Sequence, residues 1–501
     1  MDILITNARI IDGTGNPWYQ GDIGIKKGKI YTIGDLSGFS AKQKIDAQGQ
    51  VVAPGFIDVH AHIEGGILDR PQAANFVHDG VTSVVTGNCG GSRVDLPAFF
   101  KALKKAKPSL NIASLIGHNS VRKAVMGEEN RAPTPSELTQ MQALVAEGME
   151  AGAVGLSTGL IYVPGTYAEQ SEVVALAQVA SRYRGIYASH IRNENNSIES
   201  AIEEAVSIGK LAKIPVQVSH FKLSSKTMWG QSTMTVGMIE DYRKAGIDVC
   251  VDQYPYTASS TTLSVALPNW ALGGGNDSLV IRLKDPEVKA KIVANMKASL
   301  IRRGFPDYTY ATIANCPWET SYNGKNIPEV CAMMGRGTDL DTQIEAILEM
   351  VSKGPRIQMV FHTMSEEDVA YIMSYANTLI ASDAGVTNFG VSMPHPRAYG
   401  TNSRVLGKYV REMKVIRLED AIRKMTSLPA QRFNLSDRGL LKAGMAADIV
   451  IFDPDTIIDG ATFDAPHAYA KGISHVIVNG KTVIQDGKHL NTTAGQVLRH
   501  K

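Results

Sequence analysis

The chain contains eight short apolar runs that alternate with stretches of helical periodicity, and this repeat constrains the fold more than any other feature. Apolar runs rich in β-branched residues are typical of strands buried on both faces of a parallel sheet. The stretches between them place apolar residues three and four positions apart, as amphipathic helices do. Eight such repeats predict an α/β fold, a (β/α)8 TIM barrel. The runs are GFIDVHAHI, VTSVVTGN, NIASLIGHN, AVGLSTG, GIYASHI, PVQVSHFK, IDVCVDQYPY and TLIASDAG.

The repeat is interrupted once, after the seventh run. Roughly residues 264–355 carry extra helices and short strands, and a segment of this length is expected to form a lid or subdomain rather than a loop. Both chain ends alternate apolar and polar residues in runs broken by Gly, Asp or Asn, which predicts antiparallel strands. We therefore expect a small β-sandwich domain built from residues 1–53 and 431–501, with the barrel in residues 54–430.

The charge balance and the cysteine content limit the partners and the compartment. The 501 residues include 51 Lys+Arg and 49 Asp+Glu, a net charge of +2 without a basic cluster. This argues against nucleic acid or a membrane as partner and leaves a small molecule as the expected ligand. The sequence has neither a membrane-spanning run nor a signal-peptide pattern. Four cysteines without a Cys-x-x-Cys pair form no disulfide framework, so we expect a reduced, cytoplasmic protein. The oligomeric state is left open.

Residues that bind metal ions stand at the ends of these runs. The carboxyl ends of barrel strands surround one mouth, so these side chains are expected to converge there. His60 and His62 are two positions apart and point to the same side of a strand. Imidazole, thiolate and carboxylate groups suit a divalent ion such as Zn²⁺, which activates water for hydrolysis. The predicted ligands are His60, His62, Cys89, His190, His220 and Asp383.

Each of these residues also has a simpler explanation when it is taken alone. An isolated histidine in a strand is usually just packed and hydrogen-bonded. Cys89 could be a small buried hydrophobic residue, and Asp383 could cap the helix that follows it. Their common position at one end of the barrel favours the metal site.

Several motifs carry a family resemblance that covers nearly the whole chain. GFIDVHAHI resembles the first strand of the amidohydrolase superfamily. The segments TGNCGGS, YASHIRNE, VSHFK, DQYPYTASST, ASDAG and HPRAYGT resemble the N-acyl-D-amino-acid deacylases, the D-aminoacylase branch of that superfamily. The resemblance implies a zinc-dependent enzyme that cleaves the amide of N-acyl-D-amino acids.

The resemblance also implies how the ligands divide. Cys89, His190 and His220 would hold one tight zinc ion. His60, His62 and Asp383 would frame a second, weaker site, with Cys89 able to bridge the two. The fourth run, AVGLSTG, has no lysine to carboxylate, in agreement with a bridging cysteine. Asp383 would also act as the catalytic base, taking a proton from the attacking water and passing it to the departing nitrogen.

Candidate substrate-binding residues follow the same strands. Arg192 offers a bidentate fork for the substrate carboxylate, although it could instead pair with Glu194 at the surface. Lys222 is expected on the face of His220. Tyr254, with a serine such as Ser260 nearby, could donate hydroxyls to the same carboxylate, or Tyr254 could simply be packed. His395, in HPRAYGT, could lie over the site or be a loop histidine without a role.

The substrate's side chain and the exact reaction leave alternatives open. Between Asp383 and His395 the sequence GVTNFGVSMP has no Arg or Lys, which favours a neutral or apolar side chain unless Lys222 or an insertion residue reaches in. The D preference rests on the resemblance alone. An N-carbamoyl amino acid or an N-acyl dipeptide-like amide is an alternative substrate. A non-catalytic scaffold is the remaining alternative, and the complete set of ligand residues argues against it.

Overall fold

The computed structural model describes residues 1–354 and 356–500, and its centre is a barrel of eight parallel strands. Each of the eight predicted runs contains one barrel strand, and the third strand is split in two by Leu115. The predicted barrel is therefore confirmed. In chain order the barrel strands are Phe56–Asp58, Val81–Thr86, Asn111–Ser114 with Ile116–Gly117, Gly155–Gly159, Ile186–His190, Val216–Val218, Val249–Gln253 and Thr378–Ile380.

Backbone hydrogen bonds between the segments that directly follow the first and eighth strands close the barrel. The amide of Asp383 donates to the carbonyl of His60, and the amide of His62 donates to the carbonyl of Ala384, both at 2.8 Å. The other neighbouring strands pair in parallel along the chain order, as a right-handed strand–helix repeat requires. The segments that follow the first and last strands are thus fixed side by side at the mouth of the barrel.

Helices surround the barrel and bury one apolar face each. Helix Ile198–Ala212, for example, directs Ile198, Ile202 and Val206 inward at four-residue spacing. No helix in the described part of the chain combines the length and apolar character needed to cross a lipid bilayer. The cytoplasmic location stays a prediction. The helices around the barrel are Ala74–Val77, Leu96–Ala106, His118–Met126, Pro135–Glu150, Gln170–Arg182, Ile198–Ala212, Ser232–Lys244, Glu366–Ser374, Arg397–Arg404, the π-helical Val405–Glu412, Leu418–Met425 and Ser427–Arg432.

The two chain ends build one nine-stranded sheet beside the barrel. They meet where strand Val51–Pro54 pairs antiparallel with strand Ile449–Phe452. Isoleucines and valines of both ends pack together on this sheet. The domain limits 1–53, 54–430 and 431–501 remain our proposal. The strands are Ile3–Ile10, Tyr19–Lys26, Lys29–Gly34, Gln43–Asp46, Val51–Pro54, Ile449–Phe452, Ile473–Val478, Lys481–Gln485 and Lys488–His489.

The segment between the seventh and eighth barrel strands folds around its own apolar core. Its sheet extends beyond both ends of the predicted 264–355 segment, and residue 355 itself lies outside the described residues. The sheet consists of Ser259–Thr262, Ala311–Asn315 and Gln358–Phe361, and the helices are Gly275–Lys284, Pro286–Arg303, Ile327–Met333 and Leu340–Lys353. Single 3₁₀ turns lie at Gly165–Tyr167, Lys226–Met228, Leu263–Ala266, Asn269–Leu272 and Thr320–Tyr322.

A buried carboxylate fixes the helix that follows the eighth strand. Helix Arg397–Arg404 is kinked at Gly400, where φ is −146° and ψ is 21°. Asp79 accepts hydrogen bonds from the backbone amides of Asn402 and Ser403, at 2.7 and 3.0 Å, and from both of their side chains. The carboxylate thus satisfies donors near the kink, since buried amides need partners.

Replacing Asp79 by Ala is expected to destabilise the protein. The substitution leaves two buried backbone amides without partners, which costs on the order of 3 kcal/mol of the free energy of unfolding. Chemical denaturation measures the change. Asp69→Ala, at an exposed position on the neighbouring loop, is the control and is expected to have little effect. Equal stability of the two variants would contradict the assigned role of Asp79.

Candidate metal centre

The structure brings together all six side chains that the sequence predicted as metal ligands. Their donor atoms form two groups, and the donors within each group lie within 4.8 Å of one another. Three of the residues have a left-handed backbone, with φ of 51° at Cys89, 36° at His220 and 52° at Asp383. Non-glycine residues rarely adopt this conformation, and such strain concentrates at functional sites.

The first group consists of Cys89, His190 and His220. His190 Nδ1 lies 2.8 Å from His220 Nε2, and Cys89 Sγ lies 3.5 Å from the same His220 nitrogen. His190 ends the fifth barrel strand, and His220 lies two residues past the end of the sixth. A thiolate and two imidazole nitrogens that face one point are a donor set typical of zinc.

The second group consists of His60, His62, Cys89 and Asp383. Asp383 Oδ1 lies 3.0 Å from His62 Nε2 and 3.4 Å from His60 Nε2. Cys89 Sγ lies 3.2 Å from His60 Nε2. Cys89 therefore belongs to both groups, which is the geometry of a bridging ligand.

Two carboxylates that the sequence analysis did not select orient these imidazoles. Asp252 Oδ1 lies 3.2 Å from His60 Nδ1 and accepts the backbone amide of His220 at 2.7 Å. Glu194 Oε1 lies 3.0 Å from His220 Nδ1. Because each carboxylate faces the nitrogen opposite the donor atom, it fixes the ring orientation and tautomer. Asp252 lies two residues before Tyr254, so the period-two alternation of a strand places both on the same side. This alternation was the sequence signal that could have identified Asp252.

Burial and nearby charges act in opposite directions on the two acidic groups. Burial disfavours the thiolate of Cys89, but His60 and His220 outweigh burial and hold the pKa of this thiol well below its usual value. Burial likewise opposes the charge on Asp383, and Arg397 together with His60 keeps the pKa of this carboxyl well below its usual range. Both groups are therefore anionic and available to bind a cation.

Arg397 is a site residue that the sequence analysis missed. Its Nη1 lies 2.9 Å from Asp383 Oδ2, opposite the oxygen that faces the histidines. Its guanidinium also lies 4.6 Å from the ring centre of Tyr254. The motif HPRAYGT was identified, but only its histidine was selected, since the ion pair depends on how the loop folds back.

Two cavities meet beside the metal centre. The larger, about 500 Å³, is lined by Cys89, Asp383 and Arg397 among others. The smaller, about 100 Å³, is lined on one side by His190 and His220. Both cavities share the side chains Tyr162, Ser260, Thr261 and Asp383. The metal centre is thus reached from two neighbouring spaces.

Arg192, which the sequence predicted to bind the substrate carboxylate, does not line either cavity in this structure. Its Nε and Nη2 donate to Glu204 at 2.9 and 2.8 Å, and its remaining donors bind the carbonyls of Thr166 and Ala168. The fifth strand ends at His190, so the period-two argument does not extend to residue 192. The alternative pairing with Glu194 is not observed either.

Three other predicted substrate residues, Lys222, Tyr254 and Ser260, line the smaller cavity. Lys222 Nζ donates to Glu194 Oε1 at 2.5 Å and to the carbonyl of His220 at 2.9 Å. The Tyr254 hydroxyl is buried and has no hydrogen-bond partner within the described chain. The Ser260 hydroxyl donates to the carbonyl of Met359 at 2.7 Å. Tyr254 is thus the group with a free donor.

His395 lines the larger cavity, but its ring is engaged on both sides. Nε2 donates to the carbonyl of Ala258 at 2.9 Å, and Nδ1 accepts the amide of Arg397 at 3.0 Å. Burial, followed by the charge of Arg397, holds the pKa of His395 well below its usual value. A neutral ring in this position orders the loop that carries Arg397.

Comparison with known proteins agrees with this geometry. The amidohydrolase family model matches residues 43–484. N-acyl-D-glutamate deacylase of Alcaligenes xylosoxydans xylosoxydans is 35% identical over 100% of this chain and 96% of its own length. The structure of N-acyl-D-glutamate deacylase from Bordetella bronchiseptica, complexed with zinc and a phosphonate mimic of the tetrahedral intermediate, has a TM-score of 0.84 at 35% identity and covers 100% of this chain and 99% of that one.

A structure of D-aminoacylase, described with a binuclear metal centre, also has a TM-score of 0.84, at 32% identity over 99% of both chains. Both relatives are hydrolases that hold metal ions, and the donor groups of this chain support a metal here. The chain therefore belongs to the amidohydrolase family, in its N-acyl-D-amino-acid deacylase branch, as the sequence motifs predicted.

Proposed function

We propose that the protein hydrolyses N-acyl-D-amino acids to a carboxylate and a free D-amino acid with the help of zinc. The observation that carries this proposal is the pair of donor groups that share Cys89 beside the carboxylate of Asp383. The relatives support the substrate class, since one is named for N-acyl-D-glutamate and another is a D-aminoacylase. The D configuration rests on these relatives.

Cys89, His190 and His220 would hold one tight zinc ion. His60, His62 and Asp383 would form a second, weaker site with Cys89 in common. The donor set fits this assignment, because a thiolate and two imidazole nitrogens converge on one point. When bound, zinc supplies hydroxide from water near neutral pH and polarises the amide carbonyl.

Asp383 is suited to move the proton of the reaction. Its Oδ1 faces the donor atoms of the second group, and its Oδ2 is held by Arg397. The carboxylate takes a proton from the attacking water and then gives it to the departing amide nitrogen. Arg397 acts as a positioning residue, because its ion pair fixes the rotation of the carboxylate.

The α-carboxylate of the substrate is expected to bind at Tyr254. The hydroxyl of Tyr254 is a buried donor beside the metal centre and has no partner among residues 1–354 and 356–500, and burial raises its pKa to about 12, so the hydroxyl keeps its proton. The Lys222 ammonium, which pairs with Glu194, lies 5.7 Å from the Tyr254 ring centre. Tyr254 therefore takes the role that the sequence analysis gave first to Arg192.

Metal analysis tests the ligand assignment. Cys89→Ser is expected to lose most of the tightly bound zinc, because a neutral hydroxyl replaces a thiolate shared by both donor groups. Elemental analysis after dialysis measures the zinc content per chain. Cys331→Ser, in the insertion helix Ile327–Met333, is the matched control and should keep its zinc. Unchanged zinc in the Cys89 variant would exclude the proposed site.

Amino-acid release tests the reaction. N-acetyl derivatives of paired D- and L-amino acids are incubated with the zinc-loaded protein, and the free amino acid is quantified. Release from the D series is expected. Asp383→Asn should lower kcat by roughly 10²- to 10⁴-fold, because the proton acceptor is removed. Zinc at Cys89, His190 and His220 should be retained.

Asp69→Asn is the control for this experiment and should keep full activity. Near-normal turnover of the Asp383 variant would refute its catalytic role. Activity on N-carbamoyl amino acids or on N-acyl dipeptides, without release from any N-acetyl amino acid, would replace the proposed substrate class.

A further inference from the structure

The smaller cavity has an uncompensated positive charge. Its charged lining residues are the cations Lys222 and Arg303 and the anions Glu194 and Asp383. Glu194 pairs with Lys222 at 2.5 Å, and Asp383 pairs with Arg397 at 2.9 Å. Within residues 1–354 and 356–500, no carboxylate forms an ion pair with Arg303.

Arg303 has hydrogen-bond partners for some of its donor atoms but not for all of them. Its Nη2 donates to the carbonyl of Ser224 at 3.0 Å and its Nη1 to the Tyr310 hydroxyl at 3.3 Å. Its guanidinium lies 5.3 Å from the ring centre of Phe305 and 5.4 Å from that of Tyr310. The Nε atom is buried and has no partner in the described structure. Leaving such a charge uncompensated is unfavourable, which makes the position suited to an anion.

Arg303 lies at the C-terminal end of a helix of the insertion. Helix Pro286–Arg303 ends at Gly304, where φ is 73°. Hydroxyls of the loop after the sixth barrel strand bind the last carbonyls of the helix: Ser225 Oγ donates to Arg303 at 3.2 Å, and Thr227 Oγ1 donates to Arg302 at 3.0 Å. The end of the helix is therefore docked on the barrel, and its last side chain enters the cavity wall.

Other lining groups of this cavity are also unpaired donors. The hydroxyls of Ser224 and Thr363 are buried and have no partner in the described part of the chain. An apolar side chain in the cavity would leave them unpaired, at a cost of about 1–3 kcal/mol for each group. A carboxylate accepts several hydrogen bonds at once. The cavity therefore fits an anionic group better than the neutral or apolar side chain that the sequence favoured.

We propose that the smaller cavity binds a side-chain carboxylate of the substrate against Arg303, so that the enzyme selects N-acyl derivatives of acidic amino acids. The inference rests on the proposed function. The α-carbon is bonded to the scissile nitrogen, so the α-carboxylate stays near the metal centre, where Tyr254 lies. Arg303 belongs instead to the wall built by the insertion, with Tyr310 and Phe361. A side chain with one or two methylene groups places a second carboxylate away from the reacting atoms.

Isosteric substrate pairs test the charge preference. The values of kcat/KM are compared for N-acetyl-D-glutamate against N-acetyl-D-glutamine, and for N-acetyl-D-aspartate against N-acetyl-D-asparagine. Each pair differs in side-chain charge at nearly constant shape. We expect the acidic member to be preferred on the order of 10- to 100-fold, the range for hydrogen bonds to a charged group.

Arg303→Met should remove this preference by lowering kcat/KM for the acidic substrates while leaving the amide substrates nearly unchanged. Arg302→Met, one residue earlier on the same helix and exposed, is the matched control and should behave like the unmodified enzyme. Calorimetric binding of D-glutamate and D-glutamine gives a second readout, and D-glutamate alone should bind more weakly to the Arg303 variant. Zinc content and thermal midpoint confirm that the variant is folded.

Four results would overturn the inference. An equal loss on acidic and amide substrates would place the α-carboxylate at Arg303. N-succinyl and N-acetyl derivatives of the same amino acid are also compared. A loss in the Arg303 variant that is confined to the N-succinyl substrates would place the acyl group at Arg303. Unmodified enzyme that prefers neutral side chains would refute the acidic preference but leave the proposed function intact. Release from none of the substrates would instead refute the proposed function itself, and the inference with it.

Discussion

The site depends on the hydrogen bonds that close the barrel between its first and eighth strands. They hold the backbone of His60 against Asp383, and so bring the His62 imidazole within 3.0 Å of a carboxylate 321 residues away in sequence. Cys89 and His220 follow the second and sixth barrel strands. Their left-handed backbone directs both side chains towards the same point at the barrel mouth. The donor geometry is thus a consequence of barrel closure together with the left-handed backbone at Cys89, His220 and Asp383.

The sequence predicted those donor residues because strand ends of a parallel barrel converge whatever the loops do. The same period-two rule was less reliable beyond the strand ends. Lys222 lines the cavity, since Glu194 draws its ammonium inward, whereas Arg192 turns outward to Glu204. Both residues follow a histidine by two positions, so the difference lies in the neighbouring carboxylates, which a single sequence does not place in space.

The carboxylates and cations around the donors form a second layer that sequence patterns identify poorly. Asp252 lies inside a strand, Glu194 lies in a loop, and Arg397 lies at the start of a helix, yet all three contact residues of the donor groups. Each contact joins separate elements of the barrel. Their shared effect is electrostatic: the anions orient imidazoles, and Arg397 keeps Asp383 charged in a buried place.

The barrel and the insertion contribute different parts of the site. The barrel supplies the donor atoms and the proposed base, Asp383, while the insertion supplies one wall of the smaller cavity through Arg303. Because this side chain stands on a helix end that is docked by Ser225 and Thr227, the wall can differ in charge without moving Cys89 or Asp383. The loop between Asp383 and His395 has no Arg or Lys, whereas Arg303 comes from a segment whose packing against the barrel no local sequence pattern reveals.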